Sequence, residues 1–128
     1  MDPPGQVSYR LAMSVPDPQI LTVDVGTGSV RAALVDLHGP VSALRSAAHP
    51  TRYPRHGWVE QAPEDWWTGA CRVIGATLRA GGAAAGQVVA VVCCGQMHAP
   101  VLIGADGSLL KTKLGAFRAS ELEGWVAD

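Results

Sequence analysis

The chain is 128 residues long, 48% apolar and 16% charged, with 10 Lys+Arg against 11 Asp+Glu and a formal net charge of −1. That length suits one domain or part of one, and the apolar share excludes a disordered chain. The balanced charge excludes the basic footprint of a nucleic-acid binder and a polybasic membrane segment, and no apolar run approaches the roughly 18–20 residues of a membrane helix.

In chain order, residues 1–18 read as a flexible leader. Pro3, Pro4, Pro16 and Pro18 oppose a long helix there, and no apolar stretch marks a secretory signal. Residues 20–25 are apolar and β-branched and read as a buried strand. Gly26, Thr27, Gly28 and Ser29 supply turn chemistry, and residues 30–36 read as the returning strand of a hairpin. Leu37, His38, Gly39 and Pro40 make a second turn before a third strand over residues 41–49. A connection follows to Ala62. Pro63 then suits the first position of a helix, with Glu64 and Asp65 in the first turn, where the dipole favours anions. Trp67, Ala70, Cys71, Ile74 and Leu78 fall on one stripe, the expected core face, and Gly81 and Gly82 end the helix. The valine-rich residues 88–93 predict a buried central strand. Gly95, Gln96, Met97 and His98 interrupt it, Val101, Leu102 and Ile103 resume as a strand, and residues 104–107 turn. Hairpin, helix and returning strand together predict an α/β domain.

Cys93 and Cys94 are adjacent, so alternation sends their side chains to opposite faces. With Cys71 the only other cysteine, a disulfide framework is not expected and a reducing cytoplasm fits better. No C-x-x-C spacing supports zinc.

Two places can carry chemistry. Asp24 ends a buried strand and is followed by the turn Gly26, Thr27, Gly28, Ser29. Glycines let a backbone approach a phosphate closely, successive N–H groups can form an anion-binding concavity, and a carboxylate suits a hard cation such as Mg²⁺. The pattern lacks the Gly-Lys-Ser/Thr of a P-loop, and an ordinary hairpin with a polar tip explains it as well. Gln96, Met97 and His98 sit at the carboxyl end of a strand, where open α/β sheets bind ligands. The Gln and His side chains both donate and accept, which suits a polyhydroxylated ligand; a loop with a surface histidine is the plainer alternative. Trp58 reads either as a loop anchor or as an apolar wall against a sugar face.

Asp24-Val25-Gly26-Thr27-Gly28-Ser29, Gly57-Trp58-Val59-Glu60-Gln61 with Pro63-Glu64-Asp65-Trp66-Trp67, and Gly95-Gln96-Met97-His98-Ala99-Pro100-Val101 occur in this order. Together they resemble the N-terminal region of the FGGY carbohydrate kinases, most of all their xylulokinase branch. The resemblance implies the N-terminal portion of a ribonuclease H-like, actin-like ATPase domain with a mixed sheet, over residues 19–110. It implies ATP and Mg²⁺ as cofactors, with Gly26, Thr27, Gly28 and Ser29 near the phosphates and Asp24 near the metal. It places Gln96, Met97 and His98 in the pocket of a sugar such as a ketopentose, narrowed where Ala99 replaces the branch's usual glycine. No catalytic residue is carried over, because the family's proton-accepting aspartate lies beyond the matched region. The implied reaction is in-line attack of a sugar hydroxyl on the γ-phosphate. This chain alone is expected to be silent unless a separate chain supplies the missing half. Residues 111–128 are expected to be a divergent tail, with Ser120 and Glu123 forming a capping box.

Overall fold

A computed structural model describes residues 15–112. Most of the leader, the capping box at Ser120 and the tail from residue 113 lie outside the described residues. Strands β1 (Gln19–Val25), β2 (Ser29–Asp36) and β3 (Val41–Ala48) form an antiparallel meander. Helix α1 (Pro63–Gly81) and a 3-10 turn (Ala85–Gln87) then carry the chain to β4 (Val88–Gly95), which lies parallel to β1. The sheet order is β3-β2-β1-β4, and β5 (Val101–Ile103) and β6 (Leu109–Thr112) form a separate two-stranded hairpin.

Alternation along the strands builds the core. Leu21 and Val23 of β1, with Val30, Ala32 and Leu34 of β2, turn one face towards Ala70 and Val73 of α1. Small residues let the helix sit close. A Cβ on Gly69 would stand 3.1 Å from Val30 Cγ2, and one on Gly81 only 2.7 Å from Leu34 Cδ1. Thr77 is fully buried and donates its hydroxyl to the Ala32 carbonyl at 3.2 Å. Pro63 opens the helix as its sequence position predicts. Gly82, at φ 65°, closes it: its amide donates to Arg79 O at 3.3 Å and that of Ala83 to Leu78 O at 3.2 Å.

Two expectations need correction. Of the expected stripe of α1, Ala70 is buried and Ile74 and Leu78 pack against the core, but Cys71 is exposed and Trp67 is 73% exposed, and the buried residues are Gly69, Ala70, Val73 and Thr77. The close approach to β2 admits only small or medium side chains, so the helix is rotated with its bulky Trp67 turned outward. Among the described residues strand β4 is an edge, not a central strand, and is exposed from Ala90 onward. The helix lies over β2 and β3, and β4 meets the core through Val88 at its start.

Candidate functional site

Parallel pairing brings two carboxyl ends together. Asp24 lies beside Cys94 and Val25 beside Gly95 in the β1–β4 register. A Cβ on Gly95 would stand 3.2 Å from the Val25 carbonyl oxygen, and the Gln96 amide donates to that oxygen at 2.8 Å. The turn after β1 and the tip after β4 therefore share one end of the sheet, the place where open α/β sheets take ligands.

The turn is held from behind. Its closing bond runs from the Gly26 amide to Ser29 O at 3.0 Å. His49 Nε2 lies 2.9 Å from the Gly26 carbonyl and the His49 amide donates to the Gly28 carbonyl at 3.3 Å. Gln61 Nε2 donates to the Thr27 carbonyl at 2.6 Å. In a planar trans peptide the N–H points opposite the preceding C=O. Drawing the carbonyls of Gly26 and Thr27 onto the protein thus directs the amides of Thr27 and Gly28 away from it. Both residues are exposed, and a Cβ on Gly28 would meet nothing within 4 Å. An outward pair of amides beside an unhindered glycine is an anion cradle.

Asp24 projects on the sheet face opposite α1, since Val23 and Val25 beside it face the helix side. Its cross-strand neighbours are Arg31 and Cys94. Arg31 Nη1 lies 3.6 Å from Asp24 Oδ2, an exposed pair of little energetic weight. The Cys94 thiol lies 3.6 Å from Asp24 Oδ1. Dehydration first, and then the charge of Asp24, push that thiol above its ordinary pKa. Among the described residues no group of three or more His, Cys, Asp or Glu could hold a metal ion, so a cation at Asp24 would need phosphate or water oxygens to complete its shell.

Of the expected polyol contacts, Gln96 faces inward and its Nε2 donates to Gln61 Oε1 at 3.1 Å. Met97 is 81% exposed, and His98 is exposed with a left-handed φ of 57°. Trp58 is half-buried with the Arg55 guanidinium 5.1 Å above its ring, the geometry of a loop anchor. His49 and Gln61 are the residues whose roles the sequence did not assign. Gln61 belongs to a motif quoted above, but nothing in that motif says what its amide touches. His49 carries no local signal, because its partner, Gly26, is far off in the chain.

The N-terminal-domain model of the FGGY family of carbohydrate kinases matches residues 19–114. The glycerol kinase of Methylobacterium nodulans is 42% identical over 72 residues, which are 56% of this chain and 14% of that protein. The glycerol kinase of Thermococcus gammatolerans is 31% identical over 91 residues, 71% of this chain and 18% of that protein. The chain thus spans 14–18% of the length of these curated relatives. Among solved structures, the xylulose kinase from Rhodospirillum rubrum superposes with a TM-score of 0.70 at 26% identity, covering 85% of this chain and 23% of that one. The gluconate kinase from Lactobacillus acidophilus gives a TM-score of 0.68 at 25% identity, covering 76% of this chain and 19% of that one. The fold is the N-terminal portion of the actin-like domain of such kinases, as the three motifs implied. With the family model covering most of the chain and the sheet arranged as in these neighbours, the chain belongs to the FGGY family of carbohydrate kinases.

Proposed function

We propose that this chain forms one wall of the nucleotide-phosphate site and one wall of the sugar site of a xylulokinase-like enzyme, and that it transfers no phosphate alone. The observation that carries this reading is the shared sheet end. The turn of Gly26, Thr27, Gly28 and Ser29 and the tip of Gln96, Met97 and His98 are joined there through Val25 and Gln61.

The outward amides of Thr27 and Gly28 fit the phosphates of ATP, with the hydroxyls of Thr27 and Ser29 as further donors. Asp24 fits a Mg²⁺ ion as a single hard ligand, with phosphate and water oxygens completing its shell. Bound Mg-ATP would supply the transferable phosphoryl group and neutralise its charge. The chain's own part is to fix the phosphates by backbone donors and to orient a polyol by the Gln96 and His98 side chains. On this reading residues 19–110 are the kinase portion, residues 1–18 a leader and residues 111–128 a divergent tail. The proton-accepting aspartate and a covering second half come from outside residues 19–110. A cytoplasmic setting fits a nucleotide-dependent kinase. Among the described residues no helix is long and apolar enough to cross a membrane.

Two alternatives stand beside this reading. The curated relatives named above are glycerol kinases, which makes glycerol the rival acceptor to D-xylulose. A remnant that binds no ligand is the other. Calorimetric titration of the full chain with Mg-ATP, D-xylulose and glycerol, paired with a phosphorylation assay, separates them. The expected result is binding with a Kd of about 1 mM and no turnover above a no-protein control. Turnover abolished by Asp24→Ala would refute catalytic silence, and absence of all binding would leave the remnant.

A further inference from the structure

Gln61 is 3% exposed and its amide is fully engaged. Nε2 donates to Thr27 O at 2.6 Å and to Thr51 Oγ1 at 2.7 Å. Oε1 accepts from Trp66 Nε1 at 2.9 Å and from Gln96 Nε2 at 3.1 Å. A primary amide has two N–H donors and two oxygen lone pairs, so no capacity is left over. Its orientation is locked as well, because turning it over would press Oε1 against the Thr27 carbonyl. One rigid planar group thus spans the turn after β1, the start of α1 and the tip after β4.

We infer that Gln61 is a positioning residue that couples the phosphate turn to the polyol tip, so that occupancy of one site changes the affinity of the other. The inference rests on the proposed roles of the turn and of Gln96. The path has few steps. A polyol hydroxyl that engages the Gln96 amide competes with or reorients its bond to Gln61 Oε1. The planar amide of Gln61 transmits that change to Nε2, and Nε2 holds the Thr27 carbonyl. Because the peptide between Thr27 and Gly28 is planar, the carbonyl's direction sets that of the Gly28 amide, one of the cradle donors. Polarisation along such a chain strengthens or weakens its links together. Coupling of this kind is reciprocal by thermodynamic necessity. A second connection, from the backbone N–H of Gln96 to Val25 O at 2.8 Å, bypasses Gln61 and must be separated from it.

The test is a double-mutant cycle on the full chain read by NMR at the Thr27 carbonyl carbon, which reports the bond it accepts. Gln96→Ala is expected to move that resonance in the native background and to leave it unmoved in a Gln61→Met background. A bypass through Val25 would move it equally in both, and that result, or no movement in either, overturns the inference. If Gln61→Met does not fold, Gln61→Leu serves the same cycle, since it too lacks both the donors and the acceptor. Ligand titration supplies the second readout. The native chain should show a change of about fivefold or more in Mg-ATP affinity on saturation with the polyol it binds, and Gln61→Met should reduce that ratio to about one while each ligand still binds alone. An unchanged ratio overturns the role of Gln61 and leaves the functional reading standing. Failure of every ligand to bind refutes the functional reading, while the resonance cycle still decides whether Gln61 links the two tips.

Discussion

Gly75 and Gly81 are both helical, yet a methyl group added to each meets different surroundings. At Gly75 the new Cβ would lie 3.3 Å from Arg79 Nη1, the far end of a flexible side chain. At Gly81 it would lie 2.7 Å from Leu34 Cδ1, and Leu34 is fully buried. Alanine gains about 1 kcal/mol of helix propensity over glycine in a helix interior, while overpacking a core costs about 1–3 kcal/mol. Gly75→Ala should therefore stabilise the chain by about 0.5–1 kcal/mol, and Gly81→Ala should destabilise it by about 1–2 kcal/mol, as read from denaturant midpoints. Equal effects from the two substitutions would contradict the close seating of α1 on β2. The same closeness explains Trp67: a side chain that size has no room beneath the helix, so the residue type that usually anchors a core lies 73% exposed.

The hairpin of β5 and β6 shows how little local signal an element can carry. Its turn is plain in the sequence, with Gly107 at φ 82° and the Gly104 amide donating to Ser108 O at 2.8 Å. Leu109, Leu110, Lys111 and Thr112 alternate poorly, and their strand character comes from pairing with β5. Asp106 steadies the turn. The Ser108 hydroxyl and then the Ser108 amide, the latter 2.9 Å from Oδ1, bond its carboxylate and hold its pKa below the usual range. A folded-state pKa below the unfolded one favours the hairpin at pH values above the unfolded pKa. That contribution is lost as pH falls through the folded pKa. Acidification through the carboxylate range should therefore shift the Gly104 and Ser108 amide resonances and weaken cross-strand contacts between Leu102 and Lys111. Asp106→Asn should remove this pH dependence, and its persistence in that variant would assign the effect elsewhere.

Across the whole molecule, the helix covers β2 and β3 and leaves β1 and β4 partly open. Between α1 and these strands runs an apolar groove of about 500 Å³ lined by Trp66, Trp67, Ile74, Val91 and Cys93 among others. Beside it, the outer edge of β4 has no strand partner among the described residues. An exposed apolar edge strand invites pairing with another chain, and an apolar groove of this kind marks an interaction surface. The purified chain should bind a hydrophobic dye and associate with rising concentration in sedimentation. Val91→Lys should reduce both while changing stability by no more than about 0.5 kcal/mol, because Val91 is already 59% exposed. A native chain that binds no dye and sediments as a monomer at all concentrations would show that the groove and edge are covered.

A short apolar, β-branched run placed β1, the glycine turn from Gly26 to Ser29 made β2 its returning strand, and the proline and paired glycines bounded α1, because each of these is written in neighbouring residues. Motif order along the chain carried the family as well. The edge position of β4, the rotation of α1 and the convergence of Gln61 and His49 on the turn were decided by tertiary structure. Periodicity tells which side of an element is apolar, but not which neighbour lies against it or how near. The valines of β4 satisfy a buried strand's pattern while one side lacks a neighbour among the described residues. The amide of Gln61 became a junction only when folding brought Thr27, Trp66 and Gln96 within hydrogen-bonding distance of it.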